Sequence, residues 1–355
     1  MHPTVFRWDS GWSWLGTIEI SAYFVCVAAG MVVGTWLLWR WARRRNLDRD
    51  DILDLALWIA VAGVVGAKLM HVLVDGYLME YVHICTDPSQ VFWDSWRVGS
   101  GYCRELHGIP QYDELRRYVG CVPTERNCFA WINLFAGGYT YYGGLIGGGL
   151  AAFVLIRRRR LPLWPTVDTL SWIVVLGVAF GRLGCFLNGC CFGEVTDSCL
   201  GVTFPAGSPA WIEHGQQGLI GPGDRPLPVL PTQLFEAAAC VAIAAFLALW
   251  VERRKRYEGE TFVAGIALYA AARIGIEFFR ADPRGGALGL STSQIVGLVA
   301  LAAMAVLHFR LSRRPASSPV AAPPPGGAPP PAGPPPGDVP PGDAAGASPG
   351  SSRPV

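Results

Sequence analysis

Seven stretches of the chain are apolar over roughly the 20 residues that a helix needs to cross a bilayer. They run about 18–40, 52–75, 138–156, 166–187, 231–251, 261–280 and 291–310. Between them the apolar pattern breaks at clusters of one kind or another. "RWARRRN" (Arg40 to Asn46) follows the first stretch, "RRRR" (Arg157 to Arg160) the third, "ERRKR" (Glu252 to Arg256) the fifth and "RLSRR" (Arg310 to Arg314) the seventh. Every second connection is therefore basic. Basic connections stay on the cytoplasmic side, so an odd number of spans predicts an outer N-terminus and a cytoplasmic C-terminus. The expected fold is an all-α integral membrane protein of seven transmembrane helices with a periplasmic head region.

Composition agrees with that pattern. The 355 residues are 51% hydrophobic and only 16% charged, which is the membrane end of the compositional range. A net charge of +2 gives no reason to expect nucleic acid as a partner. The first 15 residues lack the basic start and cleavage site of a signal peptide. Two long connections, about 76–137 and 188–230, fall on the outer side. The first carries Cys85, Cys103, Cys121 and Cys128, which an oxidising compartment would pair in one of three ways. Residues 316–355 are rich in Pro, Gly and Ala and cannot bury enough apolar surface to fold. The reading is a membrane domain over 1–315 and a disordered cytoplasmic tail over 316–355.

Polar residues inside hydrocarbon are costly, about 2.5–3.5 kcal/mol for a central charge on the insertion scale, and so mark function. In this chain they gather at one depth. Tyr23 lies near the outer end of the first span, Tyr141 and Tyr142 at that of the third, Arg182 and Asn188 at that of the fourth, Gln233 and Glu236 at that of the fifth. Arg273, Glu277 and Arg280 occupy the outer end of the sixth, at a spacing of i, i+4 and i+7 that predicts one helix face. With Arg182 they make three guanidiniums able to converge, and arginine suits bidentate phosphate binding. The expected ligand is a phospholipid headgroup at the outer leaflet. Arginines near helix ends also snorkel with no further role. The glycines of "YYGGLIGGGL", among them Gly143 and Gly144, also suit close helix packing.

The motifs then resemble those of one family, the prolipoprotein diacylglyceryl transferases. Its signature G-R-x-G-N-F-x-N-x-E-x-x-G is similar to "GRLGCFLNGCCFG" (Gly181 to Gly193), H-G-G-L-I-G to "YGGLIG" (Tyr142 to Gly147), and P-S-Q-L-Y-E to "PTQLFE" (Pro231 to Glu236). R-x-x-x-E-F-F-R is present as "RIGIEFFR", and "GVTFP" and "LGLSTSQI" fit as well. The resemblance covers most of residues 15–312 apart from a cysteine-bearing insertion around 95–135.

This resemblance implies a monomeric enzyme of the bacterial inner membrane, with its active site toward the periplasmic leaflet. It would move the diacylglyceryl group of phosphatidylglycerol onto the lipobox cysteine of a prolipoprotein signal peptide, with no metal or organic cofactor. It implies catalytic roles at Tyr142, Arg182, Arg273 and Arg280, and substrate binding at Tyr23, Asn188, Gly193, Glu236, Glu277, Gly143 and Gly144. Three positions depart from the family pattern. Tyr142 stands where it has histidine, Cys185 where it has asparagine and Cys190 where it has glutamate. The alternative is a non-catalytic lipid-binding or lipoprotein-handling relative; a transporter fits less well, without paired broken helices. The run C-x4-C-C-x7-C does not match the compact spacing of zinc sites. A disulfide from Cys190 or Cys191 to Cys199, or an apolar role for Cys185, is the reading its spacing allows.

Overall fold

The computed structural model describes residues 4–9, 17–44, 48–94, 103, 108–113, 118–132, 139–221, 224–280, 286–287 and 289–313. The tail expected over 316–355 lies outside them.

Seven long helices occupy the seven apolar stretches. They are α1 (Ala22–Arg44), α2 (Arg49–Leu73), α4 (Tyr141–Arg158), α5 (Leu163–Asn188), α7 (Thr232–Phe246, continued by a π-helical turn Leu247–Val251 and Glu252–Arg254), α8 (Glu260–Glu277) and α9 (Thr292–Ser312). Among the described residues, two short helices, α3 (Leu78–Thr86) and α6 (Pro209–Gln216), lie in the two long connections. Five of the long helices, α1, α2, α5, α7 and α9, are long and apolar enough to cross a membrane by length and composition. The other two, α4 and α8, have 18 residues each. The arginine pair at the end of α4, and Glu260, Arg273 and Glu277 on α8, lower their apolar character.

Local chemistry sets the ends. Asp48 caps α2 by accepting from Asp50 N at 2.9 Å. Ser291 and Gln294 form a reciprocal capping box on α9, with Gln294 N donating to Ser291 Oγ at 3.2 Å and Ser291 N to Gln294 Oε1 at 3.0 Å. At the start of α8, fully buried Asp168 of α5 accepts from Gly259 N and Phe262 N, each at 2.9 Å, and from Lys255 Nζ at 2.9 Å. This one carboxylate ties the basic turn between α7 and α8 to α5. Burial pulls the Lys255 pKa down, but Glu258, Asp168 and Glu252 outweigh it and hold the ammonium above its ordinary value.

Helix pairing follows side-chain size. α2 packs along α4, α1 along α5, α5 along α7, and α8 along α9. The α2–α4 contact is backbone against backbone. A Cβ on Gly143 would collide with the Gly66 carbonyl oxygen, and one on Gly147 with that of Ala62. Small residues allow this approach where no hydrophobic driving force separates protein from lipid.

The connections carry regular structure of their own. A hairpin of β1 (Thr4–Asp9) and β2 (Thr17–Ser21) precedes α1, so the first helix begins at Ala22 instead of residue 18. The head carries a three-stranded sheet, β3 (Trp93–Asp94), β5 (Tyr118–Val122) and β4 (Ile109–Tyr112), with β5 in the middle. Two disulfides select one of the three cysteine pairings, Cys85 with Cys128 and Cys103 with Cys121. Two further pairs, β6 (Val202–Thr203) with β7 (Pro228–Val229) and β8 (Gly286–Ala287) with β9 (Leu290–Ser291), border the ends of α5, α7, α8 and α9.

Candidate active site

The site forms where α5 ends and α7 begins. α5 stops at Gly189, whose φ of 74° is open to glycine at little cost. The chain then folds back so that Cys190 N donates to Cys185 O at 3.1 Å. The returning segment is sewn to both neighbours. Gly193 N donates to Leu230 O at 2.9 Å, and Glu194 N to Phe279 O at 3.1 Å. Gly193 pairs with Arg280 in an isolated antiparallel bridge. A Cβ on Gly193 would lie 2.5 Å from Phe279 O and 2.7 Å from Thr232 Cγ2, so only glycine passes this crossing.

Two acidic and two basic side chains form a buried chain of ion pairs across three helices. Glu236 of α7 is 1% exposed, with Oε2 3.0 Å from Arg182 Nε of α5 and 3.9 Å from Arg273 Nη1 of α8. Tyr269, one turn before Arg273, donates its hydroxyl to Glu236 Oε1 at 3.1 Å. Arg273 Nη2 lies 2.7 Å from Glu277 Oε2 and donates to Ser293 Oγ of α9 at 3.2 Å. Arg273 Nη1 is buried and makes no hydrogen bond among the described residues. Arg280 is also buried and lies within electrostatic range of Cys191. Guanidiniums buried and preorganised in this way suit an anion.

The predicted site residues fall into three groups. Arg182, Glu236, Arg273 and Glu277 come together in that chain of ion pairs. Glu277 pairs with Arg273. Arg280 is not on the α8 face that the i, i+7 spacing predicts, because the helix ends at Glu277 and Arg280 N closes a tighter turn onto Glu277 O at 3.2 Å. It reaches the same region from the bridge to Gly193. Tyr23, in the first turn of α1, packs on Gly184, where a Cβ would come within 2.9 Å of its ring. It lies within electrostatic range of Arg182, Cys185 and Cys190. Asn188 is the last residue of α5, and its side chain lies near the Cys190 thiol, which donates to Cys185 O at 3.8 Å.

The α4 residues stand apart from this chain. Gly143 and Gly144 face α2. Tyr142 is 42% exposed and packs edge-on against Tyr141. It is Tyr141 that comes within electrostatic range of Arg182 and Glu236. Tyr269 was missed by reasoning from sequence, although its i−4 spacing from Arg273 was a usable signal.

The cysteines also differ from expectation. Cys199 is exposed and free, with no disulfide to Cys190 or Cys191. Cys185, Cys190 and Cys191 instead bring their sulfurs within 4.8 Å of one another. Spacing along the chain hid this, because the helix end and the positive φ of Gly189 and Cys191 (64°) fold a loose motif into a compact one.

Residues 12–102 and 114–310 match the family model described as prolipoprotein diacylglyceryl transferase. The chain belongs to the prolipoprotein diacylglyceryl transferase family. The unmatched interval, 103–113, is narrower than the insertion expected over 95–135. Among its relatives, the phosphatidylglycerol–prolipoprotein diacylglyceryl transferase 2 of Clostridium perfringens is 25% identical over 286 residues, covering 80% of this chain and 88% of the relative. The enzyme of Clostridium tetani is 26% identical over 298 residues, 84% of this chain and 93% of the relative. That of Corynebacterium glutamicum is 27% identical over 307 residues, 84% and 82%. Family membership and the apolar helices together make this a multi-pass membrane protein of a transferase family.

Proposed function

We propose that the protein transfers the diacylglyceryl group of phosphatidylglycerol to the lipobox cysteine thiol of prolipoproteins, forming a thioether and releasing glycerol phosphate. The observation that carries this reading is the buried chain Arg182–Glu236–Arg273–Glu277, with Arg280 beside it. Its guanidiniums, held in place by the two carboxylates, meet the need of a phosphate ester that gains charge as it leaves. The attacking group is the substrate thiolate, since the thiol itself is a weak nucleophile. Bonds to the phosphate that strengthen as the C–O bond breaks lower the barrier. The names of the relatives support the same substrates.

The reading includes seven spans, with an outer N-terminus and the arginine cluster at the periplasmic leaflet of the inner membrane. The basic turns at 40–46, 157–160, 252–256 and 310–314 support this orientation. Tyr23, Asn188 and Gly193 are assigned to the lipid-binding wall, and residues 316–355 to a cytoplasmic tail outside the reaction.

Complementation tests the proposal. A strain depleted of its resident transferase, and expressing this chain, should recover growth and lipidated lipoprotein. Membrane insertion with neither rescue nor thioether product would favour a non-catalytic lipid-binding relative and overturn the transferase reading.

A further inference from the structure

The three cysteines beside the arginine chain have no part in the reaction as argued so far. Their sulfurs all lie within 4.8 Å of one another. Two sulfurs bound to one tetrahedral zinc at about 2.3 Å each are about 3.8 Å apart, so small side-chain rotations bring the three into register. The backbone that carries them is fixed. Gln233 Nε2 donates to Cys190 O at 2.8 Å and Thr232 Oγ1 to Cys191 O at 3.1 Å, both from the first turn of α7. Cys185 sits in the last turn of α5. None of the three is in a disulfide, whereas the four head cysteines are paired. Arg280 and Arg182 lie within electrostatic range of Cys191.

We infer that Cys185, Cys190 and Cys191 bind a zinc ion whose fourth ligand position takes the incoming peptide thiol. Among the described residues no fourth His, Cys, Asp or Glu joins this group. Three protein ligands with one open position is the pattern of catalytic zinc, not of closed structural sites. The inference rests on the proposed transfer reaction and gives it a way to deprotonate the incoming thiol. Glu236 and Glu277 are held by arginines, and tyrosines with ordinary pKa values near 10 are poor bases. A thiol bound to zinc loses its proton outright. The proton leaves to water at the headgroup level. The thiolate sulfur then forms its bond to the glyceryl carbon, the carbon–oxygen bond to phosphate breaks, and the electron pair departs with glycerol phosphate. The product thioether is a weaker ligand and frees the metal for the next peptide.

Metal content of the purified full-length protein tests this. After incubation with zinc chloride and desalting, the protein should retain about one zinc per chain, the stoichiometry of a single three-cysteine site. With cobalt chloride it should show a thiolate-to-cobalt charge-transfer band that weakens stepwise in Cys185→Ser, Cys190→Ser and Cys191→Ser. Cys199→Ser, at an exposed free cysteine, should match the parent and controls for thiol loss as such. Addition of a lipobox peptide should perturb the cobalt spectrum, and a peptide with serine for cysteine should not. Size-exclusion profiles identify variants that misfold, and for those the spectrum of the parent with each peptide decides. No zinc or cobalt retained, copper(I) bound in their place, a disulfide within the trio, or unchanged lipidation by metal-stripped protein would each overturn the zinc site. The last of these leaves the transferase reading standing, whereas metal binding without any lipidation overturns that reading instead.

Discussion

Glu236 Oε2 lies 3.0 Å from Arg182 Nε and 3.9 Å from Arg273 Nη1, so one carboxylate on α7 aligns two arginines that come from α5 and α8. Neither arginine is positioned by its own helix alone. The glutamate pairs with both, and Tyr269 fixes it from its other oxygen.

Glu236→Ala should therefore be among the most damaging substitutions in the membrane domain. Removing one partner of a buried pair leaves the other charge uncompensated, at a cost of about 3–5 kcal/mol. A fall in thermal stability in detergent, smaller for Glu236→Gln than for Glu236→Ala, is the expected result. Equal stability in all three proteins would show that the arginines have other counter-charges.

Arg182→Ala and Arg273→Ala should abolish transfer while leaving membrane insertion intact. The loss expected for one preorganised donor to a developing oxyanion is about 100- to 1,000-fold in turnover. Arg273→Lys should not rescue, because Arg273 uses separate nitrogens toward Glu277 and Glu236, and an ammonium cannot span both. Turnover measured on membranes of matched protein content checks this.

Much of this was legible in the sequence, and for identifiable reasons. Hydropathy located the seven long helices seen among the described residues, because each grows from a long apolar run. The convergence of Arg182, Glu236 and Arg273 was readable as charges at one depth. What escaped depends on backbone turns that no periodicity encodes. Arg280 leaves the α8 face because the helix stops at Glu277 and the chain is captured by Glu194. The cysteine trio closes only because Gly189 and Cys191 adopt positive φ. The strands of the head are too short to show an alternating pattern, and cysteine spacing alone could not choose among three disulfide connectivities.

Gly143→Val tests the packing reading of the α4 glycines. A Cβ there meets the Gly66 carbonyl and Met70 Cβ, so the two helices must separate. Overpacking of this kind costs about 1–3 kcal/mol. Lower thermal stability, with a larger drop than for Gly149→Val, is expected, since nothing lies within 4 Å of a Cβ on Gly149.

Peptide mapping under non-reducing conditions should recover Cys85 joined to Cys128 and Cys103 joined to Cys121. Loss of the second bridge, which spans 18 residues, should destabilise the head by about 3 kcal/mol in the chain-entropy picture. Protease sensitivity between residues 94 and 122 of a Cys103→Ser/Cys121→Ser protein reports it.

The central claim is that Arg182 and Arg273 together stabilise the departing phosphate of a lipid whose glyceryl group passes to a thiol. Its most direct measurement uses purified protein, phosphatidylglycerol labelled in the glycerol headgroup and a lipobox peptide, with release of labelled glycerol phosphate and peptide thioether followed together. The account predicts both products in equal amounts from the parent protein, and at least about a 100-fold lower rate from Arg182→Ala and from Arg273→Ala. Thioether formation at the parent rate in both variants would contradict it.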